Sequence, residues 1–269
     1  DVRTAAARRA LAFAIVGHVA FVATNSPAAE STVRARPAIR LEMLVERIAK
    51  LNAQVGQDIL AARSRRSLDE AIRDFDETLA AVSATAPGAE ARDNYNLLTL
   101  LWVQYRAWAV KPTSRDAGRK LRDRTEEMAF VAAKGTRLVQ ESARATSNAS
   151  AIRAENAAVL AQRIAKIHLW MRWDMHDEAL ERALRESTEN LRRILATLGS
   201  TPGNTPEISD ELVGANAQMR FLDDAARDLA QHQSEARSIE FIAKAGDHIQ
   251  VSMERVAGLY EAVAPTTRD

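Results

Sequence analysis

The chain of 269 residues contains no cysteine, which excludes disulfides, thiolate metal sites, covalently attached haem and thiol nucleophiles together. Glycine (10) and proline (7) are scarce, and aromatic residues make up only 5%. With so few chain breakers, no β-branched runs, and Ala, Leu, Arg and Glu abundant, helix is favoured throughout. Neither sign of charge dominates: 37 Lys and Arg stand against 36 Asp and Glu, a net +1. No basic stripe is present to neutralise phosphates, so nucleic acid is not expected as a partner. Beyond the first 29 residues no apolar stretch approaches the roughly 20 residues of a membrane-spanning helix. What remains, 46% hydrophobic and 27% charged, is a globular composition with enough length for two ordinary cores.

Residues 1–29 read as an export signal. Arg3, Arg8 and Arg9 form a cationic start, Ala10 to Ala23 is apolar apart from His18, and Ser26-Pro27-Ala28 offers small residues for a signal peptidase. Loss of residues 1–28 removes three Arg and one Asp, leaving the remainder near −1. The expected location is the periplasm or outside the cell, with no membrane span after cleavage. An uncleaved N-terminal anchor is the alternative.

An internal repeat sets the architecture. Leu44-Val45-Glu46-Arg47-Ile48-Ala49-Lys50 returns 116 residues later as Leu160-Ala161-Gln162-Arg163-Ile164-Ala165-Lys166. At that offset Leu44, Ile48, Leu51, Val55 and Ile59 map onto Leu160, Ile164, Ile167, Met171 and Met175. Further on, Leu68 to Asp74 matches Leu180 to Glu186 with the offset at 112. Such a period means one structural unit used twice.

Helical spacing and breakers predict eight helices, at about 36–63, 68–84, 90–110, 114–146, 150–175, 177–198, 206–232 and 234–263. Pro37 is expected to open the first, and Ser67-Leu68-Asp69-Glu70 reads as a capping box for the second. Pro87-Gly88, Pro112, and the Gly199 to Pro206 stretch mark later boundaries. Thr205-Pro206-Glu207 supplies a cap, a proline at the first position and a first-turn acid. One face of the third helix carries Leu98, Leu101 or Trp102, Tyr105 and Ala109, and one face of the eighth carries Ile249, Met253, Val256 and Tyr260. The expected fold is all-α: two tandem antiparallel four-helix bundles, residues 30–147 and 148–269, behind the signal at 1–29. Ser142 to Asn156 contains neither Gly nor Pro. Helix four is therefore expected to run into helix five and stack the bundles end to end, with a hairpin at Ser147-Asn148 as the alternative.

Enzyme signatures are missing. No His follows a Glu by three residues as in di-iron bundles, and there is no His-Glu-x-x-His, phosphate loop or dinucleotide fingerprint. His168 and His176 lie eight apart, too far for chelation of one metal from adjacent turns. No cofactor, metal or catalytic residue is assigned. The repeated Arg-Ile-Ala-Lys is the one constellation left. Arg47 flanks the apolar seam of Leu44, Ile48, Leu51 and Val55, Lys50 follows on the same edge, and Arg163 and Lys166 repeat the geometry. A cation beside a core needs a carboxylate, a carbonyl or a bound anion. An acid on a neighbouring helix is the plainer partner, and an anion or partner site the sharper one. Trp170 and Trp173 flank Met171 and Arg172; they are core filler or the apolar lining of a ligand site.

The run Met43 to Lys50, with Ala38 and Arg40 before it, resembles the N-terminal sensor domain of type IV pilus methyl-accepting chemotaxis transducers, the PilJ-type domain. That domain is similar in turn to the periplasmic sensor of nitrate/nitrite histidine kinases. Ala38, Arg40, Met43, Leu44, Arg47, Ala49 and Lys50 match the family's Ala-Gly-Arg-Gln-Arg-Met-Leu-Ser-Gln-Arg-Met-Ala-Lys pattern. In the second copy Leu160, Gln162, Arg163, Ala165 and Lys166 match it. The resemblance implies a four-helix sensor module in each half and makes Arg40, Arg47, Lys50, Gln162, Arg163 and Lys166 the candidate ligand-binding residues. In the nitrate sensors the anion-holding arginine precedes the box methionine. That position is Glu42 here and Ala158 in the second copy, so nitrate recognition of that kind is not expected.

The functional expectation is an exported, non-catalytic sensor-type module binding a small ligand, such as an anion, or a partner protein. The tandem bundles would imitate the dimer made by single-copy relatives and pass their signal through a separate membrane protein. The alternative is a structural or scaffold protein of the periplasm or cell envelope with no small-molecule ligand.

Overall fold

The computed structural model describes residues 27–111, 114–142, 148–231 and 235–263, with side chains from residue 35. Eight α-helices fill these residues, with no strand among them: α1 (Pro27–Gly56), α2 (Ala61–Ala84), α3 (Gly88–Ala109), α4 (Arg115–Ser142), α5 (Ala149–Arg172), α6 (Glu178–Gly199), α7 (Pro206–Ala230) and α8 (Glu235–Val263). None of them is long and apolar enough to cross a membrane. The export-signal reading falls almost wholly on residues 1–26, outside the described residues, and so does the boundary at Pro112.

Helices α1 to α4 pack around one core and α5 to α8 around a second, each helix against its sequence neighbours and the last against the first. Neighbours run antiparallel. Ile59 and Ser64 meet at one end of the α1–α2 pair, and Arg40 meets Asp74 towards the other. In the second half Arg192 of α6 reaches Asp223 of α7, and Arg255 of α8 reaches Glu211 of α7. The buried faces are those the spacing predicts: Leu98, Trp102, Tyr105 and Ala109 on α3, and Ile249, Met253, Val256 and Tyr260 on α8. Leu101 only packs against the core from its edge.

The central helices differ from the rest. Helices α2, α4 and α6 each carry one buried stripe, whereas α1 and α5 bury residues on nearly every side, Ala35 to Ala53 and Ala151 to Trp170. A helix apolar all round belongs inside. Here α1 and α5 lie against each other as well as against their own bundles. They run parallel and in register. Arg36 bonds Glu155, Arg163 bonds Glu46 and Arg172 bonds Gln57, at 2.7, 3.0 and 2.8 Å.

This packing overturns the end-to-end expectation. Helix α5 starts afresh at Asn148, whose side chain accepts hydrogen bonds from the Ser150 and Ala151 amides and donates to the Tyr260 carbonyl. The halves lie side by side. Two further expectations are corrected. Pro37 lies inside α1 instead of opening it; buried Ala35, Ala38, Ile39 and Leu41 on either side hold the helix through the missing hydrogen bond. Ser67 lies inside α2, which begins six residues earlier, after Leu60.

The true break comes earlier, at a turn that is itself repeated. Asp58 (φ 58°) and Asp174 (φ 55°), again 116 residues apart, both adopt the left-handed conformation. Ile59 N bonds Gln54 O and Met175 N bonds Trp170 O, the same closure in each copy. Aspartate tolerates this backbone better than most residues. Helices one and five therefore stop at residues 56 and 172, short of the predicted 63 and 175.

Candidate functional site at the junction of the halves

Because α1 and α5 are parallel and in register, the two Arg-Ile-Ala-Lys boxes face a common seam. Lys50 and Lys166 have no solvent exposure. Each reaches out of its own half. Lys50 pairs with Asp247 on α8. Lys166 lies 2.7 Å from Glu46 Oε2 on α1 and 3.1 Å from Glu126 Oε1 on α4. Its ammonium also sits over the Trp170 ring, 4.3 Å from the centroid.

The partners explain how the charges survive burial. Burial alone pushes the Lys50 ammonium down, and Asp247 pushes back up. Burial would likewise raise the Glu46 carboxyl, but Lys166 and Arg163 hold it below the usual carboxylate range. Asp247 is held low by Lys50 and Arg47, with a hydrogen bond from Gln162. Glu42, one turn before Glu46, goes the other way: burial pushes it up to about 7, with Thr136 and Arg163 opposing.

The two halves of the seam are equivalent in place and unequal in charge. Arg163 Nε donates to Glu46 Oε1. The matching pair in the other half is Arg47 and Gln162. Gln162 turns its amide nitrogen to Asp247 Oδ1 and the Gly246 carbonyl, at 3.1 and 3.2 Å. Among the described residues Arg47 bonds Gln250 Oε1, at 3.1 Å. Arg47 Nε and Gln162 Oε1 are both buried with no partner among the described residues. The position of Trp170 is taken in this half by Gln54, buried, with its Oε1 also unpartnered.

Beside Arg47 a cleft of about 140 Å³ opens between α1, α2 and α8, lined among others by Gln54, Arg63, Lys244, Asp247 and His248. Lys244 is paired with Glu240, and Asp247 is already engaged by Lys50 and Gln162. Arg63 is exposed.

Of the sequence candidates, Arg47, Lys50, Gln162, Arg163 and Lys166 thus come together, and Lys50, Lys166 and Arg163 are satisfied from within. Arg40 stands apart, bonded to exposed Asp74 and lining a cleft of about 520 Å³ with Arg36 and Glu155. Trp170 and Trp173 belong to the core, Trp173 and Met175 both lying against Gly118, while Met171 and Arg172 line a separate cleft of about 550 Å³ with His168. Burial pushes the His168 imidazole down to about 4. Among the described residues no group of three His, Asp or Glu side chains is placed to hold a metal ion.

Sequence reading missed Glu46, Gln54, Glu126 and Asp247. The first two had a signal, the Glu46-for-Gln162 exchange inside the repeated box and the Gln54-for-Trp170 exchange one turn later. Glu126 and Asp247 had none, because their role depends on how the halves dock. Comparison of the chain with protein-family models, with curated proteins and with solved structures finds no match.

Proposed function

We propose that this chain is an exported, non-catalytic sensor-type module that binds a small ligand at the seam between α1 and α5. Its two halves supply both sides of a receptor dimer within one polypeptide, and its output passes to a separate membrane signalling protein. The observation that carries this reading is the parallel, in-register seam with the duplicated cations buried along it. Buried ion pairs give back in attraction little more than their desolvation costs, so such a seam is a poor stabiliser and an apt two-state element. The resemblance of the Met43–Lys50 box to PilJ-type sensors points the same way. A thermal-shift screen of the full chain against small anions, amino acids and small organic acids tests it. A ligand that binds the folded state raises the melting temperature with concentration, and Arg47→Ala should abolish the rise.

A scaffold reading is favoured by one observation: Lys50, Lys166 and Arg163 are satisfied internally. In that case no compound moves the melting temperature, and Arg47→Ala and Arg163→Ala both lower it.

A further inference from the structure

We infer that the seam holds one external small oxyanion per chain, bound by Arg47 and Arg63 in the first half, and that the Glu46 carboxylate is a built-in counterpart of that anion in the second. The inference rests on the sensor reading above and names its ligand class.

The argument compares like with like. Position 46 of α1 and position 162 of α5 are equivalent in the repeat; Glu46 faces Arg163 and Lys166 of the opposite half, and Gln162 shares Asp247 with Lys50 of the opposite half. At Arg163 the guanidinium Nε receives a carboxylate oxygen at 3.0 Å from Glu46. At Arg47 the same Nε is buried without a partner among the described residues, and the residue equivalent to Glu46 is a neutral glutamine whose own oxygen also lacks one there. An unpaired buried donor on a charged group is expensive, so such a group nearly always finds a hydrogen-bond partner.

The surroundings select the charge of that ligand. Arg47 and Arg63 line the cleft beside Lys244, which Glu240 neutralises, and one carboxylate, Asp247, whose charge Lys50 already offsets. Arg63 has no carboxylate partner among the described residues, and it lies close enough to oppose the charge on Lys50. Guanidinium groups present paired N–H donors that match the edge of an oxyanion. The cleft of about 140 Å³ has room for several atoms of water size and excludes a large organic ligand. The second half has no such vacancy in charge, since Arg163 and Lys166 face Glu46 and Glu126.

The test is calorimetric titration and thermal shift of the full chain with inorganic phosphate, sulfate and nitrate, against chloride at matched ionic strength. At least one oxyanion should bind saturably, one per chain. Arg63→Ala, at an exposed position, should weaken binding about tenfold or more, the loss of one close charge contact, without lowering the unliganded melting temperature, because it also removes a charge that opposes Lys50. Gln162→Glu should place an internal carboxylate on Arg47 and abolish binding. Glu46→Gln, which copies the arrangement the first half already tolerates, should create a second site and raise the stoichiometry to two. Absence of saturable oxyanion binding, or binding that ignores both Arg63→Ala and Gln162→Glu, overturns the inference. If a different compound class raises the melting temperature through Arg47 while no oxyanion does, the sensor reading stands and this one falls. If no compound does, both fall.

Discussion

Lys166 is an ammonium without solvent contact, and its stability rests on two carboxylates and one indole ring. Removing one partner of a buried pair leaves an uncompensated charge, which costs about 3–5 kcal/mol, whereas replacing the whole pair with apolar groups is often near neutral. Lys166→Met should therefore lower the denaturation midpoint by the equivalent of about 3 kcal/mol. Adding Glu46→Leu should recover more than half of that loss, because Arg163 keeps contact with solvent. Glu42 gives a second prediction at this scale. Its carboxyl, lifted to about 7 by burial, takes up a proton more readily in the folded chain than in the unfolded one. The stability this contributes is present in full below the ordinary value of 4.5 and is lost as pH rises through about 7. Glu42→Gln, which stays neutral, should hold the stability that the natural chain loses between pH 5 and pH 8. The difference should be about 2 kcal/mol, less than the full shift implies because the side chain retains some water. Glu155, raised to about 7 in the same way, is untouched by this change and keeps its own share of the pH dependence.

Helices meet most closely where a side chain is missing. At Gly246 on α8 an added Cβ would lie 2.9 Å from the Ala165 Cβ and 3.1 Å from the Ala161 carbonyl oxygen of α5. Backbone cannot yield there as a flexible side chain can, so Gly246→Ala should cost about 1–3 kcal/mol through forced separation. Gly258, on the same helix, meets nothing within 4 Å. Gly258→Ala should gain about 0.5–1 kcal/mol from helix propensity alone, and paired thermal melts would show the opposite signs. At this scale much of the fold was legible: the repeated seam of Leu44 to Ile59 and Leu160 to Met175 announced one unit used twice, and three- and four-residue spacing fixed the buried faces. Breakers misled where packing outweighed propensity, as at Pro37, which is embedded in α1. The turns at Asp58 and Asp174 escaped because aspartate in a left-handed turn looks like any surface acid in a helical pattern. The candidate site was half legible. The box placed its cations beside the seam, but their partners on α4 and α8 lie far away in sequence and become visible only when α1 lies along α5.

The docking of the two halves decides the character of the molecule. Were they stacked through a continuous helix, a cut between Ser142 and Asn148 would release two separate bundles. With α1 along α5, the cut severs only a connection, while Lys50–Asp247, Lys166–Glu46 and Arg36–Glu155 still cross between the halves. Neither half alone can supply those partners, so separation would uncover Val159, which packs in the first core, and Ala49 and Ala53, which pack with Trp170 and Ile242 of the second half, and would leave two lysines unpaired in apolar surroundings. A protease site inserted between Ser142 and Asn148 should therefore yield, after cleavage, two fragments that co-elute as one species and melt in one cooperative transition. Denaturant should separate them, and its removal should restore the one-to-one complex. Fragments that part on cleavage in native buffer would refute the side-by-side arrangement, and with it the shared seam on which Arg47 and Arg163 stand as counterparts.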